Sequence, residues 1–521
     1  MRLPFIRAAL IVFTASFCML VIELVAGRVL APHVGVSLVT WTSVIGVVLA
    51  GISAGAYAGG WLADRRPAVS TVGWILLAAG VTSMAIVPAT ALLAGEEGLL
   101  SSMGIATTLV ARVVVLSLML FFLPAFFLGV ISPLAVKLAV SDLDTAGRVV
   151  GRLYALSTLG SIAGTFTTGF WLIASFGSRS TLLGAGVVLI AAALLFGDLL
   201  GRRGRVTGAL VLLAGMTYAI THTDPVLPPV RDPLLHAGVG TIYVTESQYY
   251  TILVERTVRE DNGSTINALH LDHLVHSYSD PHDLAYLEYE YLRTFYEVVS
   301  EVARRHPAFR LLFIGGGGYT LPRLVERDHP LARIDVVEID PAVTRVARQW
   351  LGLSRNGRIR TFNEDARWFA MRTEDEQHYD AIFIDAFNDL SVPYHLTTRE
   401  MTARLRRLLR PDGVLAANVV DDYRRGRFLP AYVRTLESVF GEGHAAITLE
   451  APEDTESNRS TFVVMAAQSL PALEKAYVIP PSDLRRYLAE RQPIVLTDDY
   501  APVDNMLAPL FSQRFADEVR P

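Results

Sequence analysis

Four consecutive glycines, Gly315 to Gly318, are followed downstream by three carboxylates, Glu338, Asp365 and Asp385, each at the end of a short apolar run. Backbone without side chains turns tightly and comes within contact of a ligand at a helix N-terminus. Glu338 stands 23 residues after Gly315, near the spacing of about 20 at which a carboxylate meets ribose hydroxyls. Asp365 is placed to accept from an adenine amino group. Gly315, Gly316, Gly317, Glu338 and Asp365 together therefore read as a nucleoside site. The dinucleotide fingerprint wants glycine at its third site, where Thr320 stands, and no phosphate-gripping lysine motif is present. A single nucleoside carrying a sulfonium, S-adenosylmethionine or its decarboxylated form, fits these residues better than a dinucleotide.

Asp385 lies in the acidic stretch IDAFNDLSVPYHLTT, residues 384–398. A strand-end aspartate often caps the turn that follows it. Beside two nucleoside-binding carboxylates it also has a chemical use. A free alkylamine has a pKa of about 10 and is mostly protonated at neutral pH. A carboxylate orients such an amine and takes its proton as a new bond to carbon forms.

The segments that must position these groups alternate. RLLFIG precedes the glycine loop and a helix over 319–328; IDVVEID precedes a helix over 341–351; RIRTFNED leads to a helix over 365–373; YDAIFID leads to one over 397–409; GVLAANVV closes the series. Strands alternating with helices predict a doubly wound parallel sheet, an α/β Rossmann-like domain of the S-adenosylmethionine methyltransferase-like kind, over 281–521. Residues 282–304 read as a helix ahead of it. Runs 241–257 and 265–276 read as strands around the turn Asp261-Asn262-Gly263 and predict a small β-hairpin domain over 238–280.

The first 222 residues are of another kind. They carry 13 Lys/Arg against 7 Asp/Glu, the remainder 33 against 44, and the whole chain is 51% hydrophobic. Apolar runs near 5–26, 38–62, 72–94, 107–138, 150–176 and 180–200 have spanning length. They predict a multi-pass α-helical membrane domain of six or seven spans, set in a cell (inner) membrane. A seventh run, 206–220, is short for a span. Positive charge follows alternate spans (Arg2/Arg7, Arg65/Arg66, Lys137/Arg148/Arg152, Arg202/Arg203/Arg205), so the N-terminus and the 201–205 loop are read as cytoplasmic. Six spans put the α/β half in the cytoplasm, where S-adenosyl compounds are made; seven put it outside. Gly51/Gly55/Gly59 and Gly160/Gly164 have the four-residue spacing of close helix packing. Glu23 and Arg112 lie inside apolar runs, where a charge faces a cavity or a partner.

Several classes are excluded. The single cysteine, Cys18, allows no intrachain disulfide. No basic patch with interleaved aromatics points to nucleic acid. Metal-ligand spacing is absent: His270, His273 and His276 step by three along an alternating strand, which sends neighbours to opposite faces. A homodimer is compatible with the sequence.

Val244 to Val420 resembles the spermidine synthase (polyamine aminopropyltransferase) family, and the whole chain resembles its membrane-fused bacterial branch. The matching pieces are ESQYYTILV, LHLDHLVHS, GGGGYTLPRLV, VVEIDP, YDAIFIDAFND and PDGVLAANVV, with LTDDYAPVDNML near the C-terminus. The resemblance implies transfer of an aminopropyl group from decarboxylated S-adenosylmethionine to an amine such as putrescine. It implies that Glu338 binds the ribose and Asp365 the adenine, with Tyr250 on the same side. Asp385 would be the proton acceptor, and Asn388, Asp389, Glu288 and His276 would lie near the amine. The chain departs from the pattern where that family carries a diamine-gripping aspartate (Gly318), a glutamine near the donor (Tyr250), a histidine or glutamine after the helix-leading tyrosine (Leu287), and the second loop acid (Asn388). Two other readings stay open: an S-adenosylmethionine-dependent methyltransferase with another acceptor, and a non-catalytic polyamine-binding or transport protein.

Overall fold

A computed structural model describes residues 4–34, 38–94, 109–199, 240–259, 261–272, 274–374, 376–386, 392–457, 459–507 and 510. The chain divides into two compact units. One comprises 1–239 with 244–251; the other comprises 240–243 with 252–521.

In the first unit the apolar runs are helices: α1 Phe5–Val34, α2 Leu38–Arg65, α3 Val69–Ala94, α4 Leu109–Ala139, α5 Leu143–Thr167 and α6 Ile173–Phe196. A π-turn, Thr168–Leu172, follows α5, and Gly177 at φ 74° makes the corner into the main length of α6. All of these but α5 are long and apolar enough to cross a membrane. The expected span 150–176 is thus built by the less apolar α5, which carries Asp144, Arg148 and Arg152, and the π-turn. Small residues set the contacts. A Cβ at Gly55 would stand 2.1 Å from the Phe126 carbonyl oxygen on α4, and one at Gly160 would stand 2.4 Å from that of Phe13 on α1. Backbones meet there because no side chain intervenes. Arg7 at the start of α1 donates to the Phe196 carbonyl and pairs with Asp198 at 2.9 Å. The start of α1 and the end of α6 therefore lie side by side. Near the ends of α2 and α4, Lys137 pairs with Asp64, and Arg65 lies 4.0 Å over the Trp61 ring. The expected seventh segment, 206–220, lies outside the described residues.

Four antiparallel strands, β1 Thr241–Glu246, β2 Thr251–Val258, β3 Thr265–Leu271 and β4 Leu274–Ser279, make a small sheet in sequence order. The single strand expected over 241–257 is two, broken at Ser247, whose hydroxyl accepts the N–H groups of Tyr249 and Tyr250. The helix expected from 282 begins only at Glu290. Asp280 and Asp283 hold the preceding loop by accepting from its backbone and from the Arg259 guanidinium.

The second unit's main sheet has eight strands: β5 Arg310–Ile314, β6 Arg333–Val337, β7 Arg360–Phe362, β8 Tyr379–Ile384, β9 Leu409–Asp421, β10 Ala445–Leu449, β11 Ser460–Ala467 and β12 Tyr477–Val478. Their order is β12-β10-β11-β9-β8-β5-β6-β7. The β9-β8-β5-β6-β7 part is parallel, as expected. Beyond β9 the sheet continues with antiparallel β11, β10 and β12, so the series does not close at β9. Strand β8 is buried at every position, as a strand covered on both faces must be. Helices α7 Glu290–Arg305, α8 Thr320–Asp328, α9 Pro341–Trp350, α10 Ala366–Arg372, α11 Arg399–Leu408, α12 Phe428–Phe440 and α13 Pro481–Arg491 complete the unit. On α7 the buried residues Leu292, Phe295, Val298, Val299 and Val302 recur at helical spacing and make one apolar stripe. Chain order runs outward from β5 through β6 to β7, then returns to β8 on the other side of β5. The order reverses between β5 and β8, and open α/β sheets bind ligands at the carboxyl end of that crevice.

Candidate nucleoside and amine site

Gly315 and Asp385 occupy that crevice. Gly315 follows β5 with φ 98°, and a Cβ on it would lie 2.1 Å from the Asp385 carbonyl oxygen. The N–H of Asp385 donates to Ile314 at 2.8 Å and that of Gly315 to Val337 at 2.9 Å, so the three strand ends β8, β5 and β6 are stitched at one level. At Gly317 (φ 47°) a Cβ would meet nothing within 4 Å, which leaves open space over the loop. Tyr319, also left-handed at φ 54°, turns the chain into α8 with its ring buried and its hydroxyl on Thr344 Oγ1. Gly318 is closed instead: Ser277 Oγ would stand 2.1 Å from its Cβ and is bonded to Thr320 Oγ1 at 3.0 Å.

Glu338 follows β6 directly. Its Oε2 accepts the N–H groups of Gly316 and Gly317 at 2.9 and 3.2 Å, and its Oε1 accepts that of Asp340 at 2.9 Å. Burial pushes this carboxyl above its ordinary pKa, and the three donors act against that shift. Asp365 is not on the third strand but three residues past β7, as the N-cap of α10. Its Oδ1 accepts from the N–H groups of Arg367 and Trp368, and its Oδ2 lies 2.9 Å from His395 Nε2. Arg367 in turn forks onto Asp498 and reaches the His395 carbonyl, which ties the C-terminal turn 497–500 to α10.

Asp385, just past β8, is held at both oxygens: Tyr291 Oη donates to Oδ2 at 2.9 Å and Asn418 Nδ2 to Oδ1 at 2.9 Å. Burial raises its pKa, and both donors oppose the rise by favouring the charged form. Each oxygen carries one side-chain donor, so lone pairs remain for an amine.

Glu288 lies exposed before α7 and accepts from Tyr286 Oη. His276 sits on β4, where burial lowers its pKa to about 4; its Nε2 is buried and meets no hydrogen-bond partner among the described residues. Tyr250 is buried in the turn between β1 and β2, within the compact unit that contains the helices. Asn388 and Asp389 lie outside the described residues. Three groups at the crevice escaped the sequence reading. Tyr291 was hidden in an amphipathic helix, where a tyrosine usually packs. Asn418 stood inside an apolar strand, where one polar residue among AANVV was itself a signal. His395 followed a loop with no periodicity to place it.

Residues 294–421 match the spermine/spermidine synthase domain. A polyamine aminopropyltransferase of Vibrio vulnificus is 36% identical over 134 residues, 26% of this chain and 44% of that protein. The eEF1A lysine and N-terminal methyltransferase of Bos taurus is 30% identical over 174 residues, 29% of this chain and 25% of that protein. Among solved structures, a probable spermidine synthase from Corynebacterium glutamicum aligns with a TM-score of 0.43 at 20% identity, over 51% of this chain and 98% of that one. The chain spans about half the length of the curated relatives it matches.

Proposed function

We propose that this chain, whose residues 294–421 match the spermine/spermidine synthase domain, transfers an aminopropyl group from decarboxylated S-adenosylmethionine to an amine. The observation that carries this reading is the convergence of Glu338 and Asp385 with the glycine loop at the β5/β8 reversal point, with Asp385 held between two donors. The donor molecule supplies a carbon made electrophilic by a neighbouring sulfonium.

In this reading Glu338 accepts from the ribose hydroxyls, joining the contacts it makes to Gly316 and Gly317. Asp365 accepts from the adenine amino group at Oδ2, where His395 now sits, so His395 yields that oxygen or donates beside the base. Gly317 leaves room for the ligand to approach the loop. Tyr291 and Asn418 favour the ionised form of Asp385 against the effect of burial and aim it. Asp385 Oδ receives the ammonium proton as nitrogen bonds to the donor carbon; the carbon–sulfur bond breaks and its electron pair leaves with sulfur as methylthioadenosine. Tyr250, Asn388, Asp389, Glu288 and His276 belong to the same reading as donor- and acceptor-side residues. The helical unit anchors the enzyme in a bacterial inner membrane, with the α/β unit on the cytoplasmic side where the donor is made.

Methyl transfer from S-adenosylmethionine is the second reading, favoured by the 174-residue match to a methyltransferase. Incubation of the purified full chain with each donor and a panel of amines, read by mass spectrometry, separates them. An aminopropylated amine with decarboxylated donor supports the first reading. A methylated product with the undecarboxylated donor alone replaces it with the second.

A further inference from the structure

Asp365, the carboxylate that the proposed function gives to the adenine amino group, is held on both sides through one residue. The backbone N–H of Arg367 donates to Asp365 Oδ1 at 2.9 Å, and that of Trp368 joins it at 3.0 Å. The Arg367 guanidinium reaches the other side. Its Nη1 donates to the His395 carbonyl at 3.0 Å, and the His395 ring meets Asp365 Oδ2 at 2.9 Å. Arg367 thus governs Oδ1 directly and Oδ2 by way of His395.

What aims that guanidinium is Asp498, 131 positions further along the chain. Nη1 donates to Asp498 Oδ1 at 2.7 Å and Nη2 to Oδ2, the two parallel bonds of a fork. The two side chains are 23% and 40% exposed, and an ion pair so open to water adds little to stability. A fork does fix direction, because it holds the planar guanidinium at a set angle. Asp498 is itself firmly seated. Its N–H donates to Glu400 Oε2 at 3.0 Å, and Thr497 and Tyr500 close the turn by bonding each other at 3.1 and 3.0 Å. Leu496, just before the turn, is fully buried; its N–H donates to Thr435 Oγ1 and its carbonyl accepts from the Arg399 N–H. Beyond the turn, Val503 and Leu507 are buried in one cluster with Leu405 of α11 and Leu436 of α12.

We infer that Asp498 is a positioning residue for the donor: acting through Arg367 and His395, the C-terminal turn 497–500 sets how well the site selects a base bearing an exocyclic amino group. This inference rests on the nucleoside-site part of the proposed function and adds to it the residues that align the base-side carboxylate. Without the fork the guanidinium is free to leave the His395 carbonyl, and the 3₁₀ turn Tyr394–Leu396 that carries His395 loses a tether. Asp365 Oδ2 is then no longer presented at one angle. Asp385, held by Tyr291 and Asn418, keeps its own contacts. The effect therefore falls on donor binding and not on proton transfer.

The test is equilibrium dialysis of the full chain in detergent with methylthioadenosine and with methylthioinosine, which has an oxygen where adenine has its amino group. The unaltered protein is expected to bind the adenosine compound more tightly. Asp498→Ala should weaken methylthioadenosine about tenfold, the scale of one hydrogen bond to a charged group. Methylthioinosine should lose much less, so the ratio between the two shrinks. Asp498→Glu, which can still fork, restores most of that ratio. Arg367→Lys, a point charge that cannot fork, loses as much as Asp498→Ala, and the double variant loses no more than either alone. In turnover, the KM for the donor rises by more than kcat falls. Equal weakening of both nucleosides, or a lower thermal midpoint with the ratio intact, would make Asp498 a structural tie and overturn the inference. Variants that bind both nucleosides as the unaltered protein does overturn it as well, and leave the nucleoside site standing. If the unaltered protein binds neither, the nucleoside site falls and the role of Asp498 falls with it. Binding is read without turnover, so the choice between aminopropyl and methyl transfer does not bear on the result.

Discussion

Tyr291 Oη donates to Asp385 Oδ2 at 2.9 Å, and the ring that carries it packs edge-on against Phe295, one α7 turn further along. A helix face that looks purely structural therefore orients the carboxylate at the proposed reaction point. Removing that hydroxyl withdraws a donor that favours the charged form, so the already raised pKa of Asp385 rises further. A base works only when ionised. Tyr291→Phe is thus expected to move the acid limb of the kcat profile to higher pH, with less loss at alkaline pH than at neutral. A pH–rate series on both proteins checks the direction; an unmoved limb would separate Tyr291 from the base.

Asp385→Asn keeps the shape of the side chain and its place between Tyr291 and Asn418 but cannot take a proton. Turnover should fall by about 10²- to 10⁴-fold, the usual worth of a positioned base. Nucleoside binding, followed by equilibrium dialysis with methylthioadenosine, should stay within a few-fold. A variant that turns over normally would leave Asp385 as a turn cap.

Glu338→Ala orphans three backbone donors at once, those of Gly316, Gly317 and Asp340. Each buried unsatisfied group costs about 1–3 kcal/mol unless water replaces the partner. Both the urea midpoint of the α/β unit and the affinity for methylthioadenosine should drop. Loss of affinity with no loss of stability would mean the carboxylate serves the ligand alone.

Two neighbouring glycines should behave differently. Gly315→Ala sets a methyl group against the Asp385 carbonyl at a backbone angle that L-residues avoid, and it should destabilise by more than about 1 kcal/mol while lowering turnover. Gly317→Ala meets open space at φ 47° and carries only the milder cost of the left-handed region. Thermal unfolding of the two variants side by side gives the order; equal losses would contradict the crowding at Gly315.

His276 has a folded pKa near 4, below the ordinary value near 6.5. A depressed histidine pKa contributes stability that is present above pH 6.5 and lost as the pH falls toward 4, because the unfolded chain binds the proton first. His276→Gln should therefore flatten the loss of stability between about pH 6.5 and 4. Denaturant midpoints at pH 7 and pH 5 for the two proteins check the sign.

The alternation of apolar strands and amphipathic helices was legible because the period of side-chain burial changes from 2 to 3.6 residues between elements. The same periodicity placed Glu338 and Asp385 correctly at strand ends. It placed Asp365 on the strand, although the chain runs three residues beyond β7 before α10 begins. Helix caps depend on local hydrogen bonds that hydropathy does not encode. The break at Ser247 and the late start of α7 have the same origin: side-chain oxygens of Ser247, Asp280 and Asp283 capture backbone donors and hold loops where the apolar pattern alone would run on.

Residue order alone was sufficient for the two-part organisation, the apolar helices, the glycine loop and the acids that follow it, since each depends on composition or on neighbours a few positions away. The pairing of Tyr291 and Asn418 on Asp385, of His395 on Asp365, and of Ser277 against Gly318 joins residues from 30 to 94 positions apart. So does the antiparallel extension of the sheet by β11, β10 and β12. Such partners meet only after strands take their places beside β5, because hydrogen bonds act over about 3 Å and have no counterpart in spacing along the chain.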